Sequence, residues 1–155
     1  MNYWLFKTEP DECSIDDFAR APQTPIVWEG VRNYQARNFL RDQVMLDDQV
    51  FIYHSSCKDI GIAGIAKVVR DAYPDPSQFA SSSPYYDEKS TSNNPRWVAV
   101  DLVFVYKLPQ LIRLDKLKKI ATLGELPLVR KGNRLSVMPV TSAEWQTIVA
   151  LNEPA

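Results

Sequence analysis

The chain has 155 residues, 45% of them apolar and 24% charged, with a formal net charge of -1; one domain over residues 1–155 is expected, since roughly 150 residues bury about two-thirds of their unfolded surface without staples. That charge balance excludes a protein that coats nucleic acid by bulk electrostatics, so any such binding must be local. The opening MNYWLFKTEPDE has neither a basic n-region nor a sustained apolar run, so a cytoplasmic location is expected, with Cys13 and Cys57 as free thiols.

In chain order, YWLFK near the start reads as a strand. Ser14 to Asp17 reads as a helix-opening capping box, weakened because its fourth residue is Asp where Glu or Gln is usual. WEGVRNYQARNFLR, from Trp28 to Arg41, has the make-up of a recognition loop running into a helix. Trp28 is either a stacking face or a core aromatic, Arg32 offers a fork of donors, and Asn33 is either a helix cap or a base-reading amide. Ala36, Phe39 or Leu40, and Val44 then fit one buried helical stripe.

The Asp47-Asp48 pair reads as a turn into the strand QVFIYH, Gln49 to His54. Gly61–Val69 and Trp97–Tyr106 are apolar on both alternating faces apart from Asp101, which marks interior strands of a curled sheet or barrel, with Gly61 and Gly64 permitting bends. Between them, Asp75–Arg96 is rich in Ser, Pro and Asn and reads as a long loop with a helical turn near Gln78. Its Tyr85 and Tyr86 either close over a ligand or pack the loop onto the body. Thr141 to Glu144 is a stronger capping box, opening a closing helix that turns Trp145, Ile148 and Val149 inward. An α+β chain, a small mixed β-barrel with peripheral short helices, is the expected product.

Catalytic signatures are sparse. His54 and Cys57 can form a thiol–imidazole pair only if the chain turns immediately after the strand, because an odd separation in a strand puts side chains on opposite faces. Three Cys and His residues without paired spacing argue against a structural zinc, and neither a cofactor nor a metal is expected. There is no GxGxxG, no GxxxxGK[ST] and no GxSxG. Basic residues gather at Arg32, Arg37 and Arg41, at Lys116, Lys118 and Lys119, and at Arg130, Lys131 and Arg134. Each run alone is an ordinary solvated face unless the fold brings them to one mouth.

Several ordered strings together resemble the EVE domain, a PUA-like family related to the YTH and ASCH domains. They are YWLFKTEP, WEGVRNYQARNFLR, FIYHSS, GIAGIAKVVRDAYPD and NRLSVMPVT, spanning most of the chain. The resemblance implies a PUA-like β-barrel whose pocket accepts a flipped nucleobase, with modified cytosine in DNA favoured and modified adenine in RNA the ligand of the YTH cousins. Carried over residue by residue, Trp28, Asn33, Tyr53, His54 and Ser55 would form the base pocket. Lys7, Arg32, Arg134 and Ser136 would stand at the rim for phosphate or sugar. Such a pocket needs flat faces for stacking and polar groups for the base edge. The expected function is a non-catalytic, nucleic-acid-binding reader of DNA or RNA carrying a modified base; the rival is a small-molecule-binding protein or an enzyme acting on a nucleoside-like ligand in the same pocket.

Overall fold

The structure is a computed structural model that describes residues 1–152. In chain order its elements are β1 (Tyr3–Thr8), α1 (Ile15–Arg20), β2 (Ile26–Trp28), α2 (Tyr34–Asp42), β3 (Gln49–His54), β4 (Gly61–Pro74), β5 (Val98–Arg113), α3 (Leu114–Lys118), β6 (Val137–Val140) and α4 (Ser142–Ala150). Short 3-10 turns sit at Pro76–Phe79, Ala121–Leu123 and Pro127–Val129. The strands form one six-stranded mixed sheet in the order β2-β5-β4-β3-β1-β6, in which β1 and β3 run parallel and every other pair is antiparallel.

Successive side chains of a strand face opposite sides, and here both sides are apolar. Trp4 and Phe6 of β1, with Val50 and Ile52 of β3, enter one hydrophobic layer; Leu5, Phe51 and Tyr53 enter the other. α1 and α2 cover the first layer through Ile15, Phe18, Ala36 and Leu40, and α3 and α4 cover the second through Leu117, Trp145 and Ile148. The doubly apolar Gly61–Val69 is buried on both sides as expected, whereas in β5 only the first half is interior: Val105 and Tyr106, read as interior, are 46% and 43% exposed. No hydrogen-bonded ladder joins β2 to β1 or β6 among the described residues. Across this gap the rings of Phe6 and Trp28, both in the first apolar layer, lie 5.4 Å apart between centroids.

Both capping boxes form. Asp17 accepts from the Ser14 amide at 2.8 Å, so the shorter acid suffices, and Glu144 accepts from the Thr141 amide at 2.8 Å. Asp47 adopts φ 72° in the expected turn, and the buried Asp48 carboxylate beside it accepts from Trp4 Nε1 at 2.9 Å and from the Met45 amide at 2.8 Å.

Three features depart from the sequence reading. β2 and β6, of three and four residues, are too short to give a periodic signal. β5 continues through Pro109 to Arg113, because the β4–β5 register shifts between Ile62 and Gly64 and leaves Pro109 where no ladder amide is needed. Gly64 serves a close approach: a Cβ there would lie 2.4 Å from Ile15 Cδ1 and 2.6 Å from the Tyr106 carbonyl oxygen. Finally, the Asp75–Arg96 loop is tethered. The fully buried Gln78 amide donates to the Asp75 and Trp97 carbonyls, each at 2.8 Å, and accepts from the Arg96 and Trp97 amides, each at 3.1 Å.

Candidate functional site

The parallel pair β1 and β3 ends at Thr8 and His54, and the chain leaves both strands into loops at the same end of the sheet. The Ser55 amide extends the pairing by donating to the Thr8 carbonyl at 2.9 Å, and the Lys7 amide donates to the Ser136 carbonyl at 2.8 Å. Lys7, Thr8, Ser55 and Ser136 thus form one side of a cleft of about 890 Å³. This volume lies within the range of roughly 300–1,000 Å³ typical of small-ligand pockets. The rest of the lining comes from the loop after β1, with Glu9, Glu12 and Cys13, from the segment Ile26 to Val31, and from Ser83 to Tyr85 of the long loop. The cleft therefore opens where the two ends of the curled sheet meet.

The loop that carries Gly30 is built by a buried ion pair. Asp75, fully buried, accepts from the Gly30 amide at 2.9 Å, from Arg32 Nη1 at 3.0 Å and from the Ser77 amide at 2.8 Å. Arg32 also donates to the Tyr85 carbonyl through Nε at 3.1 Å and Nη2 at 2.7 Å. Gly30 has φ 85°, and a Cβ on it would meet the Tyr85 ring at 2.7 Å. The glycine is needed twice over, for the left-handed backbone and for the ring resting on it. The Tyr85 hydroxyl donates to Glu12, and burial together with that carboxylate pushes the phenol up to about 12. Tyr85 is thus fixed as a cleft wall, whereas Tyr86 is 46% exposed.

Among the residues expected at the site, Lys7, Trp28, Ser55 and Ser136 line the cleft. Trp28 does so as a core residue, 6% exposed, stacked on Phe18 and packed on Phe6. Asn33 is the N-cap of α2, its Oδ1 accepting from the Ala36 amide at 2.9 Å. Tyr53 packs in the second apolar layer at 2% exposure, with Lys7 Nζ 5.9 Å from its ring centre. His54 Nε2 accepts from the Ile15 amide at 3.1 Å at the start of α1, and burial lowers its pKa below the ordinary 6.5. Arg32 is engaged in the Asp75 pair, and Arg134 is exposed in the segment before β6.

The carboxylates of the cleft were not among the site residues expected from the sequence. Glu9, Glu12, Asp17 and Glu29 line it, with Lys7 as its single cation. Burial and the nearby Asp75 push Glu29 above the usual carboxylate range, and burial lowers Lys7. Cys13 also lines the cleft, but burial, with Asp17 and Glu12 nearby, pushes its thiol up to about 11, so it is protonated near neutral pH and a poor nucleophile there. The turn after β3 exists, with Ser56 at φ 54°, yet Cys57 Sγ donates to the Asp59 carbonyl while His54 holds α1. The cleft therefore offers acceptors, hydroxyls and aromatic surface for binding.

Comparison with known proteins places this geometry. Residues 2–151 match the EVE domain. Thymocyte nuclear protein 1 of Mus musculus is 43% identical over 168 aligned positions, which cover 98% of this chain and 74% of that protein. A solved structure from Pseudomonas syringae superposes with a TM-score of 0.94 at 50% identity, covering 97% of this chain and 99% of the other. Human THYN1 protein, solved in complex with 5-methylcytosine containing DNA, superposes with a TM-score of 0.90 at 38% identity over 100% of this chain and 99% of that one. An ASCH protein from Zymomonas mobilis shares the fold alone, with a TM-score of 0.58 at 13% identity, covering 99% of this chain and 100% of the other. The PUA-like fold expected from the sequence is the one adopted.

Proposed function

The chain belongs to the EVE domain family, and on that premise we propose that it is a non-catalytic module that binds nucleic acid by accepting one flipped, modified base, with modified cytosine in DNA favoured. The observation that carries this reading is the human relative, 38% identical along the whole chain and solved with 5-methylcytosine containing DNA. The cleft chemistry supports it. Glu and Asp side chains accept from the N4 amine of cytosine, and four carboxylates line this cleft. The exposed edge of Trp28 and the fixed Tyr85 ring supply flat surface, and Ser55, Ser136 and Lys7 supply polar contacts beside them. Asn33, Tyr53 and His54, assigned to the base from sequence, support the pocket through α2, the second apolar layer and α1.

A flipped base must leave the duplex, which costs a few kcal/mol of unstacking. Discrimination then rests on the polar edge, because a buried polar group left unpaired costs about 1–3 kcal/mol whereas stacking accepts any base. The test is a titration of matched duplexes that differ only in one 5-methylcytosine, with the bound nucleoside monitored by mass spectrometry. Tighter binding of the modified duplex without turnover is expected. Equal affinity for both duplexes refutes base reading, and conversion of the nucleoside refutes a non-catalytic role.

A further inference from the structure

The near-zero net charge conceals an uneven distribution. Residues 107–134 hold eight of the 18 Lys and Arg residues but only two of the 19 Asp and Glu residues. The fold concentrates this excess further, because α3, which carries Lys116 and Lys118 and is followed by Lys119, packs against the Pro127–Val129 turn that leads into Arg130 and Lys131. Lys107, Arg113 and Arg130 are paired with Asp16, Asp59 and Glu125. Lys116, Lys118, Lys119, Lys131 and Arg134 are exposed and have no carboxylate within 4.0 Å among the described residues. The segment then reaches the cleft, since Ser136 lies two residues beyond Arg134 and its carbonyl accepts from the Lys7 amide. The Gly30–Tyr85 side of the cleft carries Glu12, bonded to Tyr85, and Glu29, next to Gly30, and both repel phosphate.

We infer that the nucleic-acid backbone flanking the bound base runs on one side of the cleft only, across the Arg130–Arg134 segment and α3, with phosphates held by Lys131, Arg134, Lys116, Lys118 and Lys119. The inference rests on the base-binding reading for its starting point at the cleft and adds the path of the strand. Acidic groups on the Gly30–Tyr85 side and cations along the Ser136 side give a charged polymer one favourable direction of exit. Such contacts fix register and carry no base preference. They also give a protein of net charge -1 a local basic surface for a polyanion.

The test uses the full chain with two probes, a duplex with one central 5-methylcytosine and its unmodified counterpart, titrated over a sodium chloride series. Three variants are compared with the parent: Lys118→Gln/Lys119→Gln, Lys131→Gln/Arg134→Gln, and the control Arg41→Gln/Lys89→Gln on exposed positions off the track. Loss of two phosphate contacts flattens the slope of log affinity against log salt by about 2, at roughly 0.9 per contact. Both track variants are expected to show this with the ratio of modified to unmodified affinity unchanged, and the control to match the parent. Parental slopes in both track variants, or equal flattening in the control, overturn the path. If the parent binds both duplexes alike while the track variants still flatten, the base-reading proposal fails and the path stands. If the parent binds neither duplex, both fail.

Discussion

Replacing Arg32 with alanine separates two roles for one side chain. As a phosphate contact at the rim, Arg32 would be dispensable for folding, and its loss would make the salt dependence of DNA binding shallower by about one unit. The structure gives it different work. Its guanidinium is the counter-charge of the fully buried Asp75 and ties Ser77 Oγ at 3.2 Å and the Tyr85 carbonyl at 2.7 Å. Removing one partner of a buried pair leaves the other charge uncompensated, at a cost of about 3–5 kcal/mol. For a chain of this size, at about 2–4 °C per kcal/mol, the melting temperature falls by roughly 6–20 °C. Differential scanning calorimetry and a salt series on the modified duplex measure both quantities for Arg32→Ala. A melting temperature within about 2 °C of the parent, together with a flattened salt slope, would refute the clamp and restore Arg32 to the phosphate contacts.

Gly30→Ala should weaken modified-base binding, because a Cβ there meets the Tyr85 ring at 2.7 Å on a backbone of φ 85°; affinity equal to the parent's would show that the Tyr85 wall is not part of the site. Trp28→Ala should cost about 3–5 kcal/mol in urea unfolding, as large core aromatics do, with Trp28→Phe recovering most of it, and a loss below about 1 kcal/mol would mark Trp28 as a ligand face without a core role. Burial lowers the pKa of His54 in the folded state below its ordinary 6.5. Its contribution is therefore complete above that value and is lost as pH falls through the lowered folded value, as the unfolded chain takes up the proton first. His54→Gln, which keeps an acceptor for the Ile15 amide without titrating, should flatten this part of the stability profile; an identical profile would exclude His54 as its source.

Local chemistry explains which features were legible before the structure. β3 follows the strand read from QVFIYH, both capping boxes form, and Ala36, Leu40 and Val44 are buried as the helical stripe required. Each of these is decided within a few residues. The cleft is different. Lys7, Trp28, Ser55 and Ser136 come together from four separate segments; Trp28 was singled out locally as a stacking face or core aromatic, and the family resemblance alone selected the other three. Arg32 reads as a free fork of donors until its acceptor, Asp75, is seen 43 positions away, and the Ile15 amide that His54 accepts from lies 39 positions upstream. Glu12 and Glu29 gave no local signal, being surface acids by composition and cleft walls only through Tyr85 and Gly30. The long loop and its turn near Gln78 were legible from the Ser, Pro and Asn content, but not its anchorage by the one buried amide of Gln78.

The join between β2 and β1 bears on what the cleft admits. A barrel zipped by main-chain hydrogen bonds has a circumference fixed by its ladder, whereas here the final contact is made by aromatic side chains of Phe6 and Trp28. Re-tilting such rings breaks no ladder hydrogen bond, so a change of width at this point is opposed by side-chain packing and not by main-chain pairing. Pocket width is thereby decoupled from sheet integrity. Substitutions among the aromatics at this join should retune the size of the accepted base substituent while leaving strand pairing in place, and protection of β3 and β4 amides from hydrogen exchange should persist when the width of the gap changes.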